Sequence, residues 1–523
     1  MFKIGIGHIK AELSSTEFNS KGIIEKVYMQ ALSTLENHVP VAALFFSTYG
    51  LDITNTVKHL NALLPENCTL LGASSNGEVS NELGYAHNSY LLILFATDKI
   101  KIYTGIVTEL FDDKDHNEAA ITAAVSKASQ GQNVKLALIF PDGLKLDGAQ
   151  ITQSFHNALG PNCGLFGGAA AERFDFVDTW QLYNDILYET AVPFMIFSGP
   201  IDYSYGMANS LAGGWKAIGP KQDIETEGTT VTKIGGKPAL AFFNSRFKLK
   251  GGLLSTAHPL AVHVGDEMVS PILRDVLNYD EAAQTLTLFQ ELPDEPCWVQ
   301  MTQPITAEIL RSSRKACLDA ISYFPSHQQP DALLWFSCIA RTQLLDGVVG
   351  DEYQQVKAFN DHIPTAGFYV YGEIGPKDRQ TDIKEVAYHS SALIVLAIGE
   401  SATIVHNHSN GDDEYTLLLL NTEIERLNQE NLNLQQQIVN LSATKDSLGQ
   451  LRADRTHQQK AIENRDAVIK ALMSLLDENE GRLPRCVVKG SGKINKKGLA
   501  ELLMQRVTNS ESALTLGAIQ KLL

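Results

Sequence analysis

The sequence has no long apolar run. Its longest hydrophobic stretches reach roughly ten residues and are interrupted by polar ones, too short to span a bilayer. Met1-Phe2-Lys3-Ile4-Gly5 opens without a long apolar segment or a small-residue cleavage site, so no secretory signal is expected. Cysteine is scarce: six in 523 residues, with no Cys-x-x-Cys pair. That spacing argues against a structural zinc site and a disulfide framework, and fits a reducing cytoplasm. Positive charge is in deficit. The formal net charge of −17 predicts that the molecule as a whole repels nucleic acid and anionic membrane. Also missing are a G-x-S-x-G elbow, a P-loop, a Rossmann fingerprint and an H-E-x-x-H helix, so no enzyme is expected.

What is present is repetition. Ala43-Leu-Phe-Phe46 is followed by Leu51-Asp52, Cys68 and Gly72-Ala-Ser-Ser-Asn-Gly-Glu78. Ala137-Leu-Ile-Phe140 is followed by Leu146-Asp147, Cys163 and Gly167-Gly-Ala-Ala-Ala-Glu172. Ala332-Leu-Leu-Trp-Phe336 leads to Gly367-Phe-Tyr-Val-Tyr-Gly-Glu373. Each copy reads as a buried strand, a helical connection, a second strand and a small-residue turn carrying a carboxylate; copy two slips by one residue at its Glu. Duplicated units of this kind predict a scaffold built by repetition. The expected fold is α/β: mixed β-sheets with flanking helices, followed by a long C-terminal coiled-coil helix.

The turns after the second strands are where such sheets place ligand groups. The candidate ligand-binding residues are therefore Gly77, Glu78, Gly168, Glu172, Tyr371, Gly372 and Glu373, with Arg341 available for a carboxylate. The alternative is that the glycines only make tight turns. His87 and His389 each stand just before an apolar strand, at positions that look repeat-related, and serve there either as polar caps or as ligands.

Residues 204–242 are turn-rich and β-branched, which predicts strands and hairpins, while 118–128 and 306–324 predict helices. After a polar break at 407–413, leucine recurs every seven residues at Leu420, Leu427, Leu434, Leu441 and Leu448, with Asn431 in the companion series. Leucine at d with one Asn at a predicts a parallel two-stranded coiled coil and self-association. From Gly481 onward eight basic side chains face two acidic ones, so the tail is the one place where nucleic acid could be touched. The expected divisions are 1–200, 201–407, a coiled coil and helix at 414–476, and a basic tail at 481–523.

Several motifs in order resemble the FIST sensory domain of bacteria, with 1–200 as its N-terminal half and 201–407 as its C-terminal half. They are Leu71 to Glu78, Phe166 to Glu172, Gly214-Trp215 to Pro220, Lys237 to Leu240, Phe336 to Arg341, Gly367 to Pro376 and the strand after His389. The resemblance implies an intracellular ligand sensor for signal transduction, with a histidine kinase or another signalling protein as partner. It also implies haem and nitric oxide as one possible chemistry. Any haem would be non-covalent, for no Cys-x-x-Cys-His is present. His389 is then the axial candidate and His87 the runner-up, followed by His258, His263 and Cys338. A small polar, amino-acid-like ligand is equally compatible, and an adaptor role without haem is the further alternative.

Overall fold

Ala42-Ala-Leu-Phe-Phe-Ser-Thr48 is buried at every position, on both faces of its pleat. A strand with that pattern must be covered from two sides. A computed structural model shows how. It describes residues 1–11, 20–51, 53–111, 113–247, 258–265, 270–293, 295–325, 329–345, 349–357, 360, 362–377 and 385–401. The expected coiled coil at 414–476, with Asn431 and the dimer it would form, and the tail at 481–523 lie outside these residues.

The first repeat runs β1 (Phe2–Lys10), α1 (Ser20–Ser33), β2 (Ala42–Thr48), α2 (Ile53–Leu63) and β3 (Thr69–Ser75). It ends in a short hairpin, β4 (Glu78–Ser80) and β5 (Gly84–Ala86), and a return strand, β6 (Ser89–Thr97). The second follows the same course: β7 (Lys101–Val107), α3 (Lys114–Ser129), β8 (Val134–Ile139), α4 (Gly148–Leu159) and β9 (Gly164–Gly168). Its hairpin is β10 (Gln181–Tyr183) and β11 (Ile186–Tyr188), and its return strand β12 (Val192–Ser198).

The third repeat opens with β13 (Ile201–Ala208) and is then interrupted by an insertion. The insertion holds β14 (Trp215–Glu227), β15 (Thr230–Ile234), β16 (Lys237–Pro238), α5 (Ala239–Asn244), β17 (Leu260–Val264), β18 (Ile272–Arg274), β19 (Val276–Asp280), β20 (Thr285–Leu288) and β21 (Cys297–Pro304). These strands form their own sheet around an apolar core that includes Val231, Phe243, Val262, Leu286 and Met301. The repeat resumes with α6 (Thr306–Ser322), β22 (Ala332–Cys338), α7 (Ile339–Leu344), α8 (Val349–Lys357) and β23 (Thr365–Val370). It closes with the hairpin β24 (Glu373–Pro376) and β25 (Val386–His389) and the return strand β26 (Leu393–Glu400).

Each repeat builds four strands of a mixed sheet, with one parallel pair at its heart: β2 with β3, β8 with β9, β22 with β23. The hairpins do not stay at home. β4–β5 of the first repeat extends the third sheet beside β23. β10–β11 of the second extends the first sheet beside β3. β24–β25 of the third extends the second sheet beside β9. This cyclic exchange ties the three repeats together, and their sheets share one core. Phe46, Phe140 and Phe336 hold the same place in the three repeats, and all three rings pack on Phe368, Phe46 at 3.8 Å between centroids. Each such buried ring contributes about 1.5–3 kcal/mol. The helices cover the outer faces: α1 and α2 on the first sheet, α3 and α4 on the second, α6 and α8 on the third. Asp147 starts α4 by accepting from the backbone N–H groups of Ala149 and Gln150 at 2.9 and 3.1 Å, a cap typically worth about 1 kcal/mol.

The repeated glycine has a packing reason. At Gly72, Gly167 and Gly367 a Cβ would overlap the carbonyl oxygen of Phe45, Ile139 and Trp335 respectively. Those three residues sit at one register position of the neighbouring parallel strand. Glycine is needed there for strand-on-strand approach.

Candidate functional site

The three turns do converge, joined through backbone hydrogen bonds. Asn76 N–H donates to the Tyr369 carbonyl (3.2 Å) and Tyr369 N–H to that of Gly77 (2.9 Å). Ala169 N–H donates to Gly372 (2.9 Å), and Tyr371 N–H back to Ala169 (3.2 Å). Ala171 N–H donates to Ser74 (3.0 Å), which donates in turn to Trp180 (2.9 Å).

The side chains expected to face a ligand there are mostly committed elsewhere. Glu78, Glu172 and Glu373 are all buried. Glu78 accepts from the hydroxyls of Thr48 (3.1 Å), Ser75 and Ser89. Burial outweighs the opposing pull of those hydroxyls and leaves its pKa raised to about 7. Glu172 accepts from the backbone N–H groups of Asp175 (2.9 Å) and Phe176 (2.8 Å) and from the Tyr371 hydroxyl. Glu373 accepts from Ala392 N–H (3.0 Å), and burial pushes its pKa well above the carboxylate range. Gly168 lies opposite Glu373 in the strand pairing, and a Cβ there would press on Val370. Gly77, at φ 141°, packs against Tyr85, and Gly372 against the Tyr388 ring.

Register corrects two sequence-based alignments. Glu78 and Glu373 are equivalent, lying opposite Phe368 and Gly168, but the second repeat puts Gln181 at that place, opposite Ala73. Glu172 precedes it, in a longer turn. His87 and His389 are not repeat-related either. His389 pairs with Glu373, whereas Ala86 pairs with Glu78, a slip of one residue that moves a side chain to the other face. The equivalents of His87 and Asn88 are Ser390 and Ser391; Asn88 and Ser391 share left-handed backbones, at φ 53° and 57°.

Arg341 is fully buried and bound within the fold. Its guanidinium pairs with the Glu352 carboxylate at 2.8 Å and donates to the Gly213 and Ile309 carbonyls and to Ser313 Oγ. Glu352 also accepts from the Tyr369 hydroxyl at 2.6 Å. The pair therefore joins the start of the insertion, α6, α7 and α8. Buried His389 has Nε2 at 2.9 Å from the Pro376 carbonyl oxygen. Nδ1 of His258 is 3.1 Å from the Thr302 carbonyl oxygen, and Nε2 of His263 is 2.8 Å from Gln300 Oε1. Burial, followed by the Glu373 and Asp275 carboxyls, pushes the Cys338 thiol well above its ordinary range. Among the described residues no group of His, Cys, Asp and Glu side chains is placed to hold a metal ion.

Outside this ring of turns lies an open cleft of about 630 Å³. Its wall includes Asn76, His87 and Asn88 of the first repeat, Arg173 and Phe174 of the second, and Thr342 of the third. Asn76 Nδ2 donates to Thr342 Oγ1 at 3.2 Å, and Arg173 donates to Asn88 Oδ1. His87 Nε2 lies 2.6 Å from the Tyr85 hydroxyl; partial burial, then Arg173, lower its pKa, which favours the neutral ring. Arg173 makes no ion pair among the described residues. Of this wall the sequence reading named only His87. Arg173 directly follows Glu172 and Asn88 follows His87, and a basic residue closing a small-residue turn was the available signal. A second concavity, of about 640 Å³, is lined by α3 alone and gathers no converging groups.

A FIST N domain is recognised over residues 41–237 and a FIST C domain over 240–376. Curated proteins give no match. Among solved structures, a cyanuric acid hydrolase from A. caulinodans is similar at 9% identity and a TM-score of 0.31, covering 77% of this chain and 100% of that one. A second cyanuric acid hydrolase structure, also 9% identical, covers 40% of this chain and 73% of that one at a TM-score of 0.24. Likeness at this level carries no conclusion about chemistry. Among the described residues no helix is long and apolar enough to cross a membrane. With both domain halves present in order, the chain belongs to the FIST-domain family.

Proposed function

We propose that the protein is a signal-transduction sensor and that it receives a small polar ligand in the cleft between Asn76, Asn88, Arg173 and Thr342. The observation that carries this reading is the meeting of all three repeats at one open, polar cleft, where a shift in any repeat is felt by the ligand. FIST domains are associated with sensing in signal transduction, which agrees with it. The output is proposed to pass through 414–476 to a partner such as a histidine kinase, in the cytoplasm.

The side chains favour this ligand class over haem. A porphyrin needs an apolar wall and one axial donor. Phe368 is packed in the central core, the Tyr369 hydroxyl is bonded to Glu352, and Tyr371 is stacked on Phe176 and bonded to Glu172. His389 is buried with Nε2 toward a carbonyl, and His87 opens onto a cleft that holds a guanidinium. These residues do not fit a haem.

The test is a thermal-shift screen of small metabolites against the full chain and against His87→Trp, which places an indole in the cleft. Ligands that raise the Tm of the wild type should lose their effect in the variant. Shifts of equal size in both proteins would place the binding site elsewhere and overturn the reading.

A further inference from the structure

The cyclic exchange of hairpins gives the molecule three equivalent hairpin ends, and the first two residues past each hairpin strand can be matched by register. They are His87 and Asn88 in the first repeat, Glu189 and Thr190 in the second, and Ser390 and Ser391 in the third. The residue preceding the last position of each turn matches likewise, Asn76 with Tyr371.

The third hairpin end is filled from within the chain. The insertion lays Phe289 against Tyr371, with ring centroids 5.4 Å apart. Gln290 Nε2 donates to Ser390 Oγ at 3.0 Å, and Ser391 Oγ donates to the Asp275 carboxylate at 2.6 Å. Arg274 lies next to that carboxylate, and both side chains are buried. The second hairpin end supplies its own carboxylate: Glu189 meets Lys145 Nζ at 3.3 Å, and the same amine reaches Asp178 at 3.0 Å. Both ends thus hold a carboxylate: at the second it pairs with Lys145, and at the third it accepts from Ser391, while the Arg274 guanidinium donates to the Leu273 and Glu291 carbonyls. The first end has the cation, Arg173, held over Asn88, and no carboxylate within ion-pair distance of it among the described residues. It is also the end that is open, as a cleft of about 630 Å³.

We infer that the open cleft is a carboxylate-binding site, in which Arg173 and Asn88 hold the carboxylate that Asp275 supplies at the third hairpin end. This deepens the sensor reading and rests on it. A guanidinium presents parallel N–H donors that match the two oxygens of a carboxylate. The Asn88 carboxamide stands where the Ser391 hydroxyl stands, on the same left-handed backbone. Arg173 is exposed and donates from Nη2 to Asn88 Oδ1, which leaves its other N–H groups to meet an anion. The insertion acts in this view as a tethered occupant of the sister site, and shows in the protein's own side chains what such a site takes. The carboxylate can belong to a free small acid or to an acidic side chain of a peptide.

The experiment is isothermal titration of the full chain with sodium glutarate, benzoate and N-acetylglycine, and with the corresponding carboxamides. A parallel arm uses the blocked peptide acetyl-Gly-Glu-Gly-amide. At least one carboxylate is expected to bind saturably, with its carboxamide at least about tenfold weaker, a difference of about 1.4 kcal/mol. Arg173→Ala should weaken binding by a similar factor or more, and Arg173→Lys should keep part of it. Asn88→Gly, which tolerates the left-handed backbone, should weaken it several-fold. Binding of the small acids identifies a free metabolite as the source; binding of the peptide alone identifies an acidic side chain and still supports the carboxylate. The inference is overturned if neither arm gives saturable heat, if the carboxamides bind equally, or if Arg173→Ala binds like the wild type. A neutral or cationic ligand that is found in the thermal-shift screen and blocked by His87→Trp would sink the carboxylate and leave the sensor cleft standing.

Discussion

Glu78 and Glu373 occupy one register position in the first and third repeats, and both are fully buried, yet they are wired differently. Glu78 is met by three hydroxyls, and one of these, Ser89, also lies 3.0 Å from His8 Nε2. Burial raises its pKa to about 7. Glu373 has one backbone N–H on Oε2 and the Cys338 thiol as its side-chain donor, with no hydroxyl bonded to it among the described residues. Burial holds that carboxyl well above its usual range, opposed by the Ala392 N–H and reinforced by Asp275. The second repeat replaces the acid by Gln181, whose amide donates to Asp142 at 3.3 Å and whose oxygen accepts from Ala191 N–H at 3.2 Å. In all three repeats the side chain ties an exported hairpin back to its own repeat. Repetition has copied the backbone and the task; the local donors decide whether the group carrying it out is neutral, near its midpoint or an acid.

The comparison breaks most strongly at a feature only the third repeat carries, the buried pair of Arg341 and Glu352. It anchors the junction with the insertion through Gly213 and Ile309. Glu352→Ala leaves a buried guanidinium without its carboxylate and should cost about 3–5 kcal/mol. Urea unfolding measures this. A loss below about 1 kcal/mol would show that the pair does not hold the junction.

Next in size is the pH response of Glu78. Its pKa in the folded protein, about 7, lies above its ordinary value of 4.5, so between the two the folded state binds more protons than the unfolded state. Stability therefore falls as pH rises through that window, and the loss from this group reaches about 3 kcal/mol above pH 7. Glu78→Gln, the residue the second repeat already uses, should remove that part of the decline. Urea midpoints at pH 5 and pH 8 test it: the wild type should lose markedly more than the variant between them. Equal losses would mean that the hydroxyls keep the carboxylate ionised.

Much of this scaffold was legible in the sequence, and the reasons are local. The continuous apolar runs at 43–46, 137–140 and 332–336 are strands covered on both faces, and the helix expected at 306–324 is α6. The exchange of hairpins was not legible, because Glu78-Val-Ser80 carries no local mark of which sheet it will join. The Glu172 alignment failed because the second turn is longer and delays its equivalent residue to Gln181. The histidine alignment failed by one residue, which pattern matching tolerates and a strand does not. Arg341 looked like a ligand group since sequence shows its charge and hides Glu352 against it. Arg173 went unnoticed for the opposite reason: Asn88 and Thr342, which line the same cleft, lie far from it in the sequence and only the fold brings them near.

The smallest effects separate two glycines that the sequence treats alike. Gly77 has φ 141°, where a Cβ strains the backbone, and its nearest neighbour would be the Tyr85 ring at 3.0 Å. Gly372 has no left-handed φ, but a Cβ there would overlap the Tyr388 ring, which is buried and also packs on Gly148. Each Gly→Ala change should cost about 1–3 kcal/mol, at Gly77 mainly through backbone strain and at Gly372 through overpacking. The two causes respond differently to removal of the ring. Tyr388→Ala makes room for the new methyl, so Gly372→Ala with Tyr388→Ala should cost less than the sum of the single changes by about 1 kcal/mol. Tyr85→Ala leaves the φ of residue 77 unchanged, so Gly77→Ala with Tyr85→Ala should be additive within about 0.5 kcal/mol. Two double-mutant cycles of urea unfolding measure both numbers. Additivity at Gly372, or strong coupling at Gly77, would reverse the assignment of which turn is held by conformation and which by packing.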